Sequence, residues 1–145
     1  MSTVGEQLVH VLRQAGVARV YGVVGDSLNP FVDAIRRTEG IEWIHVRNEE
    51  AGALAAAAEA QLTGRLAVCA GSCGPGNTHL IQGLYDAHRS AVPVLAIASH
   101  IPTEQTQMAG FALAATKIVL DGGVGQMLEM ARANLRNIPG AELLS

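Results

Sequence analysis

Four short apolar runs, residues 20–24, 41–46, 66–70 and 92–99, alternate with segments long enough for one helix each. Strand, helix and strand at this spacing make βαβ units, whose crossovers are right-handed. The third run, Leu66, Ala67, Val68, Cys69 and Ala70, has no polar position. Continuous apolar runs belong to strands covered on both faces, whereas half-exposed strands alternate. The pattern therefore predicts an α/β domain: a parallel sheet with helices on both faces.

The helices carry their own start and stop signals. Thr3-Val4-Gly5-Glu6 matches a capping box, and Val4, Leu8, Leu12 and Ala15 follow along one face up to Gly16. After the first strand, Gly25 permits a sharp exit, Asp26 or Ser27 can cap, and Pro30 tolerates an early helical position. That helix runs to about Arg37 and breaks at Glu39-Gly40. A third helix is predicted from Glu49 to about Leu62, closed by Thr63-Gly64, and a fourth from Thr78 to about Ser90.

The third helix is unusual. It opens with Glu49 and Glu50, then shows no polar side chain until Glu59. Acidic residues in a first turn are favoured by the helix dipole, which is one reading of the pair. A surface helix carries a charged face, and this one does not, so it reads as enclosed. A carboxylate at the mouth of an enclosed helix is placed for proton chemistry, which is the other reading.

Composition narrows the partners. The 145 residues suffice for one domain, with 49% hydrophobic but only 3% aromatic residues, so the core is built from Ala, Val, Leu and Ile. A net charge of −3 argues against nucleic acid, whose binders present a basic patch. No apolar run approaches a membrane span, and the first residues are not a signal peptide. Cys69 and Cys73 match no metal-binding or CxxC spacing and read as a buried hydrophobe and a loop thiol. A reducing cytoplasm fits, and no metal site is expected within the chain.

In open parallel sheets, ligands sit beyond the carboxyl ends of the strands. Gly25-Asp26, Asn48-Glu49 and the glycine-rich loop Gly71-Ser72-Cys73-Gly74-Pro75-Gly76-Asn77 all fall there. The loop resembles a phosphate site in kind, but its spacing is neither GxGxxG nor GxxxxGK[ST].

Taken in order, Gly22-Val23-Val24-Gly25-Asp26-Ser27-Leu28-Asn29, Arg47-Asn48-Glu49-Glu50, Ala58-Glu59-Ala60-Gln61, residues 70–80 and Val92-Pro93-Val94-Leu95-Ala96-Ile97 resemble the N-terminal, pyrimidine-binding domain of thiamine-diphosphate enzymes. The likeness is stronger to pyruvate oxidases and quinone-linked pyruvate dehydrogenases than to acetolactate synthases, and covers about residues 1–105. It implies thiamine diphosphate as cofactor and pyruvate, a 2-keto acid, as substrate. It also implies a glutamate that hydrogen-bonds N1′ of the aminopyrimidine and thereby drives loss of the thiazolium C2 proton. By position Glu49 matches that glutamate and Glu50 a following structural acid. Gly25, Ser72 and Pro75 match loops lining the pyrimidine, and His79 matches a histidine of pyruvate oxidases near the substrate.

Members of the family are several times longer and carry the diphosphate and magnesium on a separate domain marked by Gly-Asp-Gly, with a flavin domain in the oxidases. No Gly-Asp-Gly string occurs in this chain. From about Thr106 the sequence instead resembles the C-terminal tail of the quinone-linked enzymes, giving two parts, 1–105 and a helical tail, 106–145. The sheet is then expected to be incomplete relative to the family domain. In those relatives the tail engages membrane lipid; read from its residues alone, it is two short amphipathic helices that could equally cover the sheet. Two functions follow. One is a cofactor-binding part that is inactive alone and works with a chain bearing the diphosphate domain or in a homo-oligomer. The other is an internally deleted, non-catalytic product.

Overall fold

The computed structural model describes residues 2–100; the expected tail and the break at 105–106 lie outside them. The elements are α1 (Val4–Gln14), β1 (Arg19–Gly22), a 3₁₀ turn (Asp26–Leu28), α2 (Asn29–Arg36), β2 (Glu42–His45), α3 (Glu49–Thr63), β3 (Ala67–Gly71), α4 (Pro75–Arg89) and β4 (Val94–Ala98). The four strands form one parallel sheet in the order β2-β1-β3-β4. The α/β expectation holds.

The chain leaves β1 toward β2 on one side, then crosses back to β3 and on to β4. With every crossover right-handed, a reversal of direction moves the connecting helix to the opposite face. Two cores result. On one face α1 and α2 pack Val9, Leu12, Phe31 and Ile35 against Val20, Val68 and Ala70. On the other, α3 and α4 pack Ala53, Ala56, Ala60 and Leu80 against Ala67 and Cys69. Register explains the division: Val20, Trp43, Val68 and Leu95 align across the sheet, as do Tyr21, Cys69 and Ala96. Successive strand residues point to opposite faces.

The second core is thin because its residues are small. A Cβ added at Gly83 of α4 would lie 2.5 Å from the Cβ of Ala53 and 2.6 Å from the Leu54 nitrogen, so the two helices touch backbone to backbone. That explains how a core with few aromatics still closes. Burial lifts the Cys69 thiol to about 12, which fits its role as a small hydrophobe.

Three details differ from the expectations. Helix α3 is not enclosed by the described residues: Ala51, Leu54, Ala58 and Leu62 are exposed. Neither Asp26 nor Ser27 caps α2 with its side chain; they sit in the 3₁₀ turn, and Ser27 bonds elsewhere. Helix α4 begins three residues early, at Pro75. Gly74, at φ +80°, makes the turn, and proline is suited to a first helical turn.

Candidate active site at the carboxyl edge of the sheet

β1 and β3 are neighbours whose connections leave in opposite directions, which opens a crevice beyond their carboxyl ends. The loops after β1, β2, β3 and β4 all deliver residues to that edge.

Asn48 caps α3 by accepting from Ala51 N at 2.8 Å. This fixes the first turn, where neighbouring residues differ by about 100° around the axis. Glu49 consequently turns inward and is 8% exposed, whereas Glu50 faces solvent. The Glu49 carboxylate meets the start of α4. A Cβ added at Gly76 would lie 2.8 Å from Glu49 Oε1 and 3.5 Å from the Ser72 Cβ. Gly76 thus gives the carboxylate its room, and Glu49 and Ser72 flank the same spot. His79, one turn into α4, places Nδ1 at 3.1 Å from Glu49 Oε2. A carboxylate only accepts, so the imidazole N–H donates. The His79 side chain is half exposed and Glu49 is not, so the pair points from the interior toward the rim.

Gly25 and Ser72 are also brought together. A Cβ at Gly25 would fall 2.7 Å from the Ser72 Cβ, so glycine is what permits the two loops to touch. Pro75 stands exposed on the rim at the head of α4, its carbonyl accepting from Thr78 Oγ1 at 2.8 Å. The five expected site residues therefore form two contacts, Glu49 with His79 and Gly25 with Ser72, joined through Gly76, with Pro75 at the edge.

Three further residues were not among the expected set. Ser27 Oγ accepts from Cys73 N at 3.1 Å and lies 3.1 Å from Ser72 Oγ and 2.7 Å from Ser99 Oγ. Ser99 Oγ donates to the Gly71 carbonyl at 2.9 Å, and Asn77, 2% exposed, donates from Nδ2 to the Ser99 carbonyl at 2.8 Å. Ser99 was discoverable in principle, since it follows the fourth strand as Ser72 follows the third. Asn77 lies in the glycine loop but reads as an ordinary helix-start residue. Among the described residues, no three His, Cys, Asp or Glu side chains gather as a metal site. No helix there is long and apolar enough to cross a membrane.

The profile described as "Thiamine pyrophosphate enzyme, N-terminal TPP binding domain" matches residues 2–121. An uncharacterized 42.6 kDa protein in the isoamylase 3′ region of Pseudomonas amyloderamosa is 65% identical over 102 residues, 70% of this chain and 26% of that protein. Pyruvate oxidase of Lactiplantibacillus plantarum is 47% identical over 108 residues, 74% of this chain and 18% of the oxidase. The acetolactate synthase isozyme 2 large subunit of Escherichia coli is 36% identical over 118 residues, 76% and 21% respectively. The chain spans about a quarter or less of the length of these relatives. With its parallel sheet and its edge of converging loops, the chain belongs to the thiamine pyrophosphate enzymes, within their N-terminal TPP-binding domain.

Proposed function

We propose that this chain is the pyrimidine-binding part of a thiamine-diphosphate enzyme that decarboxylates pyruvate, and that it is inactive without a diphosphate-binding domain. The observation that carries the reading is the inward Glu49 carboxylate, bounded by Gly76 and His79.

The residues fit an aminopyrimidine. Glu49 supplies a shielded carboxylate for a ring nitrogen, and Gly25 and Gly76 keep the loops free of side chains that would crowd a flat ring. When bound, the cofactor supplies a thiazolium carbon that adds to the 2-keto group and accepts the electrons released with carbon dioxide. The chain's part is to bind and orient the pyrimidine and to hold or move a proton at N1′ through Glu49. Glu50, exposed, has no such place. His79, on the solvent side of Glu49, is the group set to meet a 2-keto acid. Pro75 and Ser72 line the approach.

Magnesium needs hard oxygen ligands, some of them the diphosphate's own; the protein's share, in this reading, comes from a partner chain or from a segment outside these 145 residues, as would any flavin. Pyrimidine contacts alone must offset several kcal/mol of association entropy, so the isolated chain should bind the cofactor at about millimolar strength.

The test is reconstitution. With thiamine diphosphate and magnesium, the 145-residue chain should release no carbon dioxide from pyruvate. Joined to the diphosphate-bearing remainder of a pyruvate oxidase, it should. Turnover by the unassisted chain, or a folded but inert joined protein, would contradict the proposal.

A further inference from the structure

β2 and β4 are the two edges of the sheet, and they are built differently. β2 carries exposed Glu42 and His45 at its ends, and polar or charged side chains blunt an edge against further pairing. β4, Val94-Leu95-Ala96-Ile97-Ala98, has no polar position. Leu95 and Ile97 pack against one core and Val94 and Ala96 against the other, yet all four remain half-exposed. Continuous apolar runs of this kind belong to parallel strands covered on both faces. Left open, such an edge is a template for another strand.

The backbone shows what the outer side of β4 offers. In a parallel strand the N–H and C=O of one residue point to the same side, and the side alternates along the chain. The Pro93 carbonyl accepts from Ala67 N at 3.1 Å, and Ser99 N donates to the Gly71 carbonyl at 3.1 Å. Odd-numbered positions therefore face β3. The N–H and C=O groups of Val94, Ala96 and Ala98 face outward, where no described residue pairs with them. Proline can guard an edge, but the Pro93 nitrogen lies on the β3 side and leaves the outer side open.

We infer that residues 117–121 of this same chain, Lys117-Ile118-Val119-Leu120-Asp121, add a fifth parallel strand to the outer edge of β4. The segment lies outside the described residues, and three observations select it. Two β-branched residues and a leucine run into Asp121-Gly122-Gly123, a strand followed by a turn signal. Eighteen residues, 99–116, separate the segment from β4, and a parallel crossover needs about a dozen or more. The N-terminal TPP-binding profile continues past β4 and ends at residue 121, where this run ends. A tethered segment also outcompetes a separate chain, because a short link holds it at about millimolar effective concentration. The strand takes the place of the first helix expected of the tail and closes an edge that would otherwise recruit a second copy.

The experiment is amide hydrogen exchange, with cross-strand nuclear Overhauser contacts, on the isotope-labelled 145-residue chain. The Val94, Ala96 and Ala98 amides should exchange at least about a hundredfold more slowly than unstructured ones, as Leu95 and Ile97 do through β3. They should also show contacts to residues 117–121. One of two adjacent N–H groups in the new strand must face β4, so Val119→Pro and Leu120→Pro cover both cases. At least one should free the three outward amides while Leu95 and Ile97 stay protected, and Val119→Ile should leave all five protected. Should a proline variant lose Leu95 and Ile97 as well, the contacts in the native chain decide alone. Free exchange at the outward amides of the native chain overturns the inference. So does protection unmoved by both proline variants, contacts from any other segment, or protection that rises with protein concentration, which would mean a second copy.

Discussion

His79 Nδ1 lies 3.1 Å from Glu49 Oε2, linking the first turns of α3 and α4 across the carboxyl edge of the sheet. The two residues are 30 positions apart, and β3 with its glycine loop runs between them. Their meeting depends on Gly76, because any side chain there would push against the carboxylate. The contact shows why the two acids of the Glu49-Glu50 pair are not equivalent: Glu49 is buried and paired with His79, whereas Glu50 faces water.

The first expected outcome follows from that inequality. In a protein completed with a diphosphate domain, Glu49→Gln should slow exchange of the cofactor C2 proton by about 10²- to 10⁴-fold, the usual worth of a positioned acid or base. Glu50→Gln should cost far less. Acid-quenched NMR measures the exchange, and equal losses would show that the wrong carboxylate carries the role.

Two glycines of α4 should separate binding from stability. At Gly83 an added methyl meets Ala53 and Leu54 backbone, which cannot yield without parting the helices. Gly83→Ala should therefore destabilise the fold by roughly 1–3 kcal/mol. At Gly76 the obstacle is the tip of the Glu49 side chain. Gly76→Ala should melt close to the native protein yet lose pyrimidine binding. Denaturant melts and ligand titration of both variants check the contrast.

Acid should loosen the α1–α2 contact. The Thr3 backbone N–H, then Arg37, hold the Glu6 carboxyl below its ordinary 4.5; Arg36, then Arg37, hold Asp33 below its ordinary 3.8. Arg37 joins the two helices, with Nη1 at 2.9 Å from Glu6 and Nε at 2.9 Å from Asp33. A carboxyl whose folded value is depressed adds stability that is complete above its unfolded value and lost as pH falls through the folded one. Thermal melts should stay level down to about pH 5 and fall below it. Arg37→Ala should flatten that acid limb, and an unchanged limb would remove the Arg37 link from the account.

The two cysteines should differ sharply toward a thiol reagent. Cys69 is fully buried with its thiol pushed up to about 12, while Cys73 is a half-buried loop residue. In the native protein one thiol should react, and the second only on unfolding. Reaction of both at equal rates would show that β3 opens readily.

Much of the fold was legible because parallel strands announce themselves through apolar runs at crossover spacing. The buried run 67–71 and the capping box at Thr3 with Glu6 behave as the residues suggest. The inward acid was legible only through the resemblance; its spacing alone left a dipole role open. What could not be read was tertiary. The apolar pattern of α3 suggested enclosure, but a helix hydrophobic all round shows only that some surface must cover it, not which, and Leu54 and Leu62 stand exposed among the described residues. Arg19 binds Glu59 at 2.8 Å across 40 positions, a pairing no local pattern encodes. The serine cluster is hidden for the same reason, since Ser27, Ser72 and Ser99 come from three separate loops.

Backbone amide shifts of the isotope-labelled chain during titration with thiamine diphosphate test the pyrimidine site most directly. Shifts should concentrate at residues 48–50, 72–76 and 79, at roughly millimolar ligand, and Glu49→Gln should weaken them while Glu50→Gln leaves them in place. Shifts confined to other surfaces, or unaffected by Glu49→Gln, would contradict the account.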